Sequence, residues 1–361
     1  MPQLDDSAPA ADDRPEADPL ARASLDPGSL DPGPLDLGPL ASRVRRSLNG
    51  AHPGVVGTRL PPLVDHHVHL MIIGPDALVD SALGGVLDLG APLDVVTALR
   101  GREGLPRTDF AGAFLTAPGG YPVGRSWAAD GCAHEVPLAS DAGRGALPSP
   151  AEAAVAEQHA FGASVIKVAL NAAAGPVFDT ATLDAIVTAA HERRMPVVAH
   201  VEGEGMTRLA IEAGVDALAH TPFTERVDDE LVARAVALGQ RWISTLYVAG
   251  HGERTPDAER AVDNLRRFHA AGGRVLYGTD LGNGDQPLGV NPRELELLVE
   301  AGLAASDVLE ALTDPWPRDE PAEGVVTFAA DPAPENLDDL ATWLAAAVVV
   351  PAEEAEELET L

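Results

Sequence analysis

The chain has 361 residues, 25 Lys and Arg against 56 Asp and Glu, a formal charge of −31 and 45% hydrophobic residues. This hydrophobic share supports a large core, and the length admits one α/β barrel of about 250 residues with appendages. A surface this acidic argues against nucleic acid as a partner, because phosphates recruit Lys and Arg, and a single cysteine, Cys132, rules out an intrachain disulfide and suits a reducing, cytoplasmic compartment.

In chain order, residues 1–55 read as a disordered tail. Leu25-Asp26-Pro27-Gly28, Leu30-Asp31-Pro32-Gly33 and Leu35-Asp36-Leu37-Gly38 form a degenerate repeat in which Pro and Gly are too dense for a helix or central strand. The first residues are acidic and lack an apolar core, so no signal peptide is expected. From residue 56 to 315, short apolar runs alternate with amphipathic stretches. Strands are expected at 63–70, 85–89, 110–116, 164–170, 196–201, 216–220, 242–247 and 274–279. Helices are expected at 151–161, 180–193, 205–213, 228–238, 256–271 and 292–301. Ser149-Pro150, Asp179 and Thr255-Pro256 give start signals, and Gly162, Gly214 and Gly272 give stops. Eight strand–helix units imply a parallel (β/α)8 TIM barrel, which places functional side chains at the strand C-terminal ends. Residues 316–361 read as a reduced β remnant and an acidic end, with a strand at 324–330 and an apolar run at 341–350 that fits strand or helix. The longest uninterrupted apolar run near the end, 344–350, is too short to span a bilayer.

The chemistry begins in Leu63-Val64-Asp65-His66-His67-Val68-His69. On a strand, residues i and i+2 share a face, so His67 and His69 project together, as two imidazoles on one metal must. Asp65 lies on the same face one layer deeper and is a candidate supporting hydrogen-bond partner, whereas His66 points the other way and reads as structural. Lys167 sits within Val165-Ile166-Lys167-Val168-Ala169, where a strand covered on both faces makes a lysine costly unless it is paired. It could serve as a desolvated amine, acting as base or Schiff-base nucleophile, or as a carbamate formed with CO2. The carbamate explains more beside histidines, since an ammonium is repelled by metal dications. His200 and His220 each close an apolar strand, and Asp280 ends the eighth, where it can touch a metal and carry a proton.

These six positions, in this order and each at a strand end, resemble the binuclear members of the amidohydrolase superfamily over residues 60–345. Leu87-Asp88-Leu89-Gly90, Gly214-Val215-Asp216-Ala217, Asp229-Glu230-Leu231, and Gly278-Thr279-Asp280 with Glu294-Leu295-Glu296-Leu297-Leu298 are similar to its imidazolonepropionase-like and metal-dependent (Xaa-Pro type) dipeptidase branch. The resemblance implies two divalent ions, expected to be zinc: His67 and His69 on one, His200 and His220 on the other, and carboxylated Lys167 bridging. It further implies Asp280 on the first ion and as proton shuttle, with a metal-bridging hydroxide cleaving an amide, lactam or ester bond of a small dipeptide-like or cyclic substrate. Three departures stand out. The N-terminal strands of the usual small β-sandwich are replaced by the tail, the C-terminal strands are a remnant, and Pro118-Gly119-Gly120-Tyr121 carries tyrosine where relatives often carry histidine.

Substrate contacts are expected from the loops after the strands, with Tyr121, Arg125, Trp127, Tyr247 and His251 as candidates, Arg125 for a carboxylate. The expected partner is a small-molecule substrate, neither nucleic acid nor membrane, with homo-oligomerisation left open. The competing readings are a mononuclear deaminase or lyase on the same barrel, and a catalytically inactive metal-binding barrel that acts as an interaction protein.

Overall fold

The structure, a computed structural model, describes residues 35–47, 54–140 and 148–358. Most of the Leu-Asp-Pro-Gly repeat, up to residue 34, lies outside the described residues.

Two strands, β1 (Ser42–Arg46) and β2 (Val55–Leu60), come first. The parallel strands follow: β3 (Leu63–Val68), β4 (Leu83–Asp88), β5 (Arg107–Phe110), β6 (Phe114–Thr116), β7 (Ala133–Glu135), β8 (Ile166–Asn171), β9 (Val197–Glu202), β10 (Ala217–Leu218), β11 (Arg241–Ile243) and β12 (Arg274–Leu276). They run in the orders β3-β4-β5 and β12-β11-β10-β9-β8-β6-β7. Backbone bonds join the two groups on both flanks. Ser164 N donates to Phe110 O at 2.8 Å, His66 N donates to Tyr277 O at 3.0 Å, and Val68 bridges Leu281 in parallel. The architecture is TIM-barrel-like, with helices Pro150–Ala160, Thr180–Glu192, Asp229–Ala237, Pro256–Ala270 and Pro292–Glu300 between the strands. Ser149, Asp179 and Thr255 cap three of these helices, as the sequence predicts.

Three sequence expectations change. The 110–116 run is two strands, because Gly112 at φ +77° interrupts it, and a Cβ there would meet the Gln158 Oε1 at 2.3 Å. The 341–350 run is both alternatives in turn, helix Leu337–Ala345 and then strand β14 (Val348–Pro351), with β13 (Val325–Ala330) before it and β15 (Ala355–Glu357) after. The expected tail of 1–55 contains β1, and the N-terminal strands taken to be missing are present: β14-β13-β2-β1-β15 form one antiparallel sheet. Strand β1 escapes a hydrophobicity reading because Val44 alone of Ser42-Arg43-Val44-Arg45-Arg46 is buried, in a small core with Val326, Phe328 and Val350.

Alternation along each strand sorts the side chains. Val197, Ala199 and Val201 of β9 pack outward against the helices, whereas Val198 joins Leu87, Ala111, Val165, Ala217, Ala219, Ile243 and Leu276 in an interior cluster. Asp65, His67 and His69, Lys167 and Asn171, and His200 and Glu202 all share that interior parity, an even number of residues apart along their strands. Among the described residues no helix is long and apolar enough to cross a membrane.

Candidate metal centre

His67, His69, Lys167, His200, His220 and Asp280 converge above the interior cluster, and all six are buried. Together with Phe114, Tyr121, Glu202, Phe223, Val248 and Asn283 they line a cavity of about 120 Å³. The centroids of the His67 and His69 rings are 5.2 Å apart, those of His67 and His220 4.7 Å, and those of His200 and His220 5.0 Å.

The tautomers follow from the carbonyls. His67 Nδ1 lies 2.8 Å from Ala219 O and His69 Nδ1 lies 3.2 Å from Gly90 O, so each Nδ1 carries the proton and donates. In the neutral rings Nε2 is then a lone pair, and both Nε2 atoms face the same Asp280 Oδ1 at 3.2 Å. Two lone pairs aimed at one carboxylate oxygen are repelled by it unless a proton or a metal ion lies between. Burial holds His67 well below the ordinary histidine range despite Asp280, whereas at His69 burial is overcome by the Asp280 hydrogen bond and charge, so with no metal the cation is a proton on His69. The same donor set fits a divalent ion: all its ligand atoms lie within 4.8 Å of one another, and it is the one compact cluster of three such groups among the described residues. Burial pushes the Asp280 carboxyl up, but His67, the His69 hydrogen bond and His220 overcome it and hold it well below the usual carboxylate range.

The supports of this centre are built into the backbone. Asp65 is not a ligand. Its Oδ1 accepts from His67 N at 3.0 Å and Thr279 N at 3.1 Å, and its Oδ2 accepts from Thr279 Oγ1 at 2.5 Å, tying β3 to the loop that carries Asp280. Gly278 is required here, since a Cβ would lie 2.3 Å from the Ile243 side chain and 3.2 Å from His67 Cβ. Asp280 itself sits at φ +55° and Thr245 at φ +41°, a conformation disfavoured for a β-branched residue. Thr245 Oγ1 lies 2.9 Å from His220 Nδ1, so the strained residue orients a site histidine. His66 is structural, its ring held between Tyr277 O at 2.8 Å and Asp314 O at 3.0 Å.

Lys167 is the chain's only lysine. Among the described residues its Nζ has no hydrogen-bond partner, and it lies 5.6 Å from the Phe114 ring centroid. Burial pushes its pKa down to about 7, against the pull of Asp280 and Asp88.

The expected substrate residues divide. Tyr121 lines the cavity with its ring stacked on His200 at 5.0 Å, and Arg125 lies over the Tyr121 ring at 5.8 Å. Trp127 packs 6.2 Å from the His69 ring. Tyr247 and His251 face each other at 6.4 Å outside the cavity lining, and the Tyr247 hydroxyl donates to Asp285 O at 3.1 Å. Sequence reading missed Asn171 and Glu202, although both obey the alternation that found the histidines. Glu202 Oε2 is 3.4 Å from His200 Nε2 and accepts from Asn171 Nδ2 at 2.6 Å.

Glu294, on the helix Pro292–Glu300, enters the sequence reading only as part of a motif, with no role assigned. Its carboxylate accepts from Leu246 N at 2.9 Å and Tyr247 N at 2.6 Å, fixing the loop after β11. Burial pushes its pKa up to about 7 from 4.5, so the folded state binds the proton more tightly. Its stabilising contribution is therefore complete below about pH 4.5 and lost as pH rises through 7, a change of at most about 3 kcal/mol. Urea melts at pH 5 and pH 8 should show the wild type losing stability relative to Glu294→Gln; parallel profiles would contradict this.

The sequence profile of the amidohydrolase family matches residues 59–314. No curated protein matches the chain. Among solved structures, a Xaa-Pro dipeptidase with methionine bound in its active site aligns at TM-score 0.61 and 21% identity over 83% of this chain and 87% of that one. A. niger ochratoxinase aligns at TM-score 0.63 and 19% identity over 80% and 81%. A prolidase complexed with N-methylphosphonate-L-proline aligns at TM-score 0.62 and 17% identity over 83% and 87%. These likenesses are of fold. The profile match spans most of the chain and contains every residue of the metal centre, and on that ground the chain belongs to the amidohydrolase family and is an enzyme acting on carbon–nitrogen bonds.

Proposed function

We propose that this enzyme is a binuclear metal-dependent hydrolase that cleaves the amide bond of a small, dipeptide-like substrate, with esters or cyclic amides as chemical neighbours, on a barrel of parallel strands that closes through β12 and β3. The observation that carries the proposal is Lys167, an amine buried among four histidines and Asp280 with nothing to bond to. Reaction of Nζ with CO2 forms an N–C bond, releases one proton and converts this orphan into an anion with two oxygens. His67, His69 and Asp280 would hold one ion, His200 and His220 the other, and the Lys167 carbamate would lie between them. Divalent ions in such a nitrogen- and carboxylate-rich set, zinc being the natural choice, polarise a carbonyl and acidify water.

The remaining work falls to side chains. Asp280, ionised and centred between the two β3 histidines, accepts a proton from the attacking water at a carboxylate oxygen and delivers it to the leaving nitrogen. Phe114, Phe223 and Val248 wall the cavity and exclude bulk water. Arg125, exposed over the ring of the cavity-lining Tyr121, is a cation available to a substrate carboxylate. The ligands named in the dipeptidase and prolidase structures both carry a carboxylate, which supports this class. Arg125→Ala should then raise KM about tenfold for a dipeptide while leaving kcat and the KM of its amide-capped analogue unchanged. An equal rise for both substrates would remove the carboxylate role. A cytoplasmic location belongs to the proposal, supported by the single, buried Cys132.

A mononuclear reading has one observation in its favour: only His67, His69 and Asp280 form a compact cluster among the described residues. It requires that Lys167→Ala retain both a metal and turnover.

A further inference from the structure

We infer that Glu202 is a third protein ligand for the ion on the His200–His220 side, an inference that rests on the binuclear reading above. Glu202 stands two residues after His200 on β9, the spacing that puts His67 and His69 on one face of β3. Its Oε2 is 3.4 Å from His200 Nε2, close to the 3.2 Å between Asp280 Oδ1 and each β3 histidine. Glu202 therefore stands to His200 as Asp280 stands to the first pair. Its only ion-pair partner among the described residues is His200, a group that is neutral when it ligates. With Arg125 acting on it only at longer range, this carboxylate has room for a metal ion beside the histidine. Asn171 Nδ2 at 2.6 Å fixes the oxygen that faces the histidine, the support expected behind a ligating carboxylate. Charge points the same way. Two dications beside Asp280, Asp88 and one carbamate still leave an excess of positive charge in a buried cavity, and Glu202 reduces it.

The test uses the holoenzyme. Wild type, Glu202→Gln, Glu202→Asp and Asn171→Ala are equilibrated with a weak chelator, metal per chain is counted by mass spectrometry, and the cobalt-substituted forms are compared by d–d absorption. Wild type should keep two ions. Glu202→Gln should keep one, with affinity for the second lowered at least tenfold and the cobalt spectrum changed on one site only; Glu202→Asp and Asn171→Ala should fall between, and they read the same effect if Glu202→Gln does not fold. Two ions in every variant with an unchanged cobalt spectrum would overturn the inference alone. That includes the case in which Glu202→Gln raises only KM for substrates with a free ammonium group, which would make Glu202 a substrate contact. One ion in the wild type would overturn the binuclear reading and this inference with it.

Discussion

Lys167→Ala should lower kcat/KM by at least ~10³-fold, about 4 kcal/mol of transition-state stabilisation, and leave no more than one metal per chain. The alanine removes the only side-chain amine that can form a carbamate and leaves the β3 ligands intact. Because Lys167 is the only lysine, the one other amine that can take the label is the α-amine, which both proteins share. Protein equilibrated with ¹³C-bicarbonate should show one side-chain carbamate resonance, absent from Lys167→Ala. The chemistry also has a pH sign. Only the neutral amine attacks CO2, and burial pushes the Lys167 pKa down to about 7. At a fixed concentration of dissolved CO2, recovery of activity by metal-depleted protein given metal should therefore quicken as pH rises from 6 through about 7 and level off above it. Recovery independent of bicarbonate would remove the carbamate from the account.

Asp280→Asn should lower kcat by 10²- to 10⁴-fold, the range of a positioned acid–base group, with the shape of the cavity preserved. The amide cannot take up the proton of the attacking water, and it presents no charge to His67 and His69, both 3.2 Å away in the wild type. Since those histidines hold the Asp280 carboxyl well below the usual range, the wild type should show no acid limb in kcat from this group near pH 4. A variant with near-normal kcat would assign the proton transfer elsewhere. Thermal melts would separate this from misfolding: Asp280→Asn should keep a cooperative transition, because the carboxylate that ties β3 to this loop is Asp65.

The parts of this site legible in the sequence are those governed by strand alternation with a strong chemical signature. Two histidines at i and i+2, a lysine inside an apolar run, and single polar residues closing apolar strands have few alternative explanations. Glu202 followed the same rule and was missed because β9 runs two residues beyond the apolar run that ended at His200. Asn171 was missed for the same reason at the end of β8. Strand β1 has one buried apolar residue among arginines and gains its place only by pairing with β2 and β15, contacts that local pattern does not encode. Loop residues were the least legible. Nothing in their spacing distinguishes Trp127, which packs beside His69, from Tyr247, whose hydroxyl is taken up by Asp285 O.

The central claim is a two-metal centre bridged by a modified Lys167, and metal content per chain in protein purified without chelators tests it most directly. The account predicts close to two equivalents of divalent metal in the wild type. One equivalent or less would contradict it.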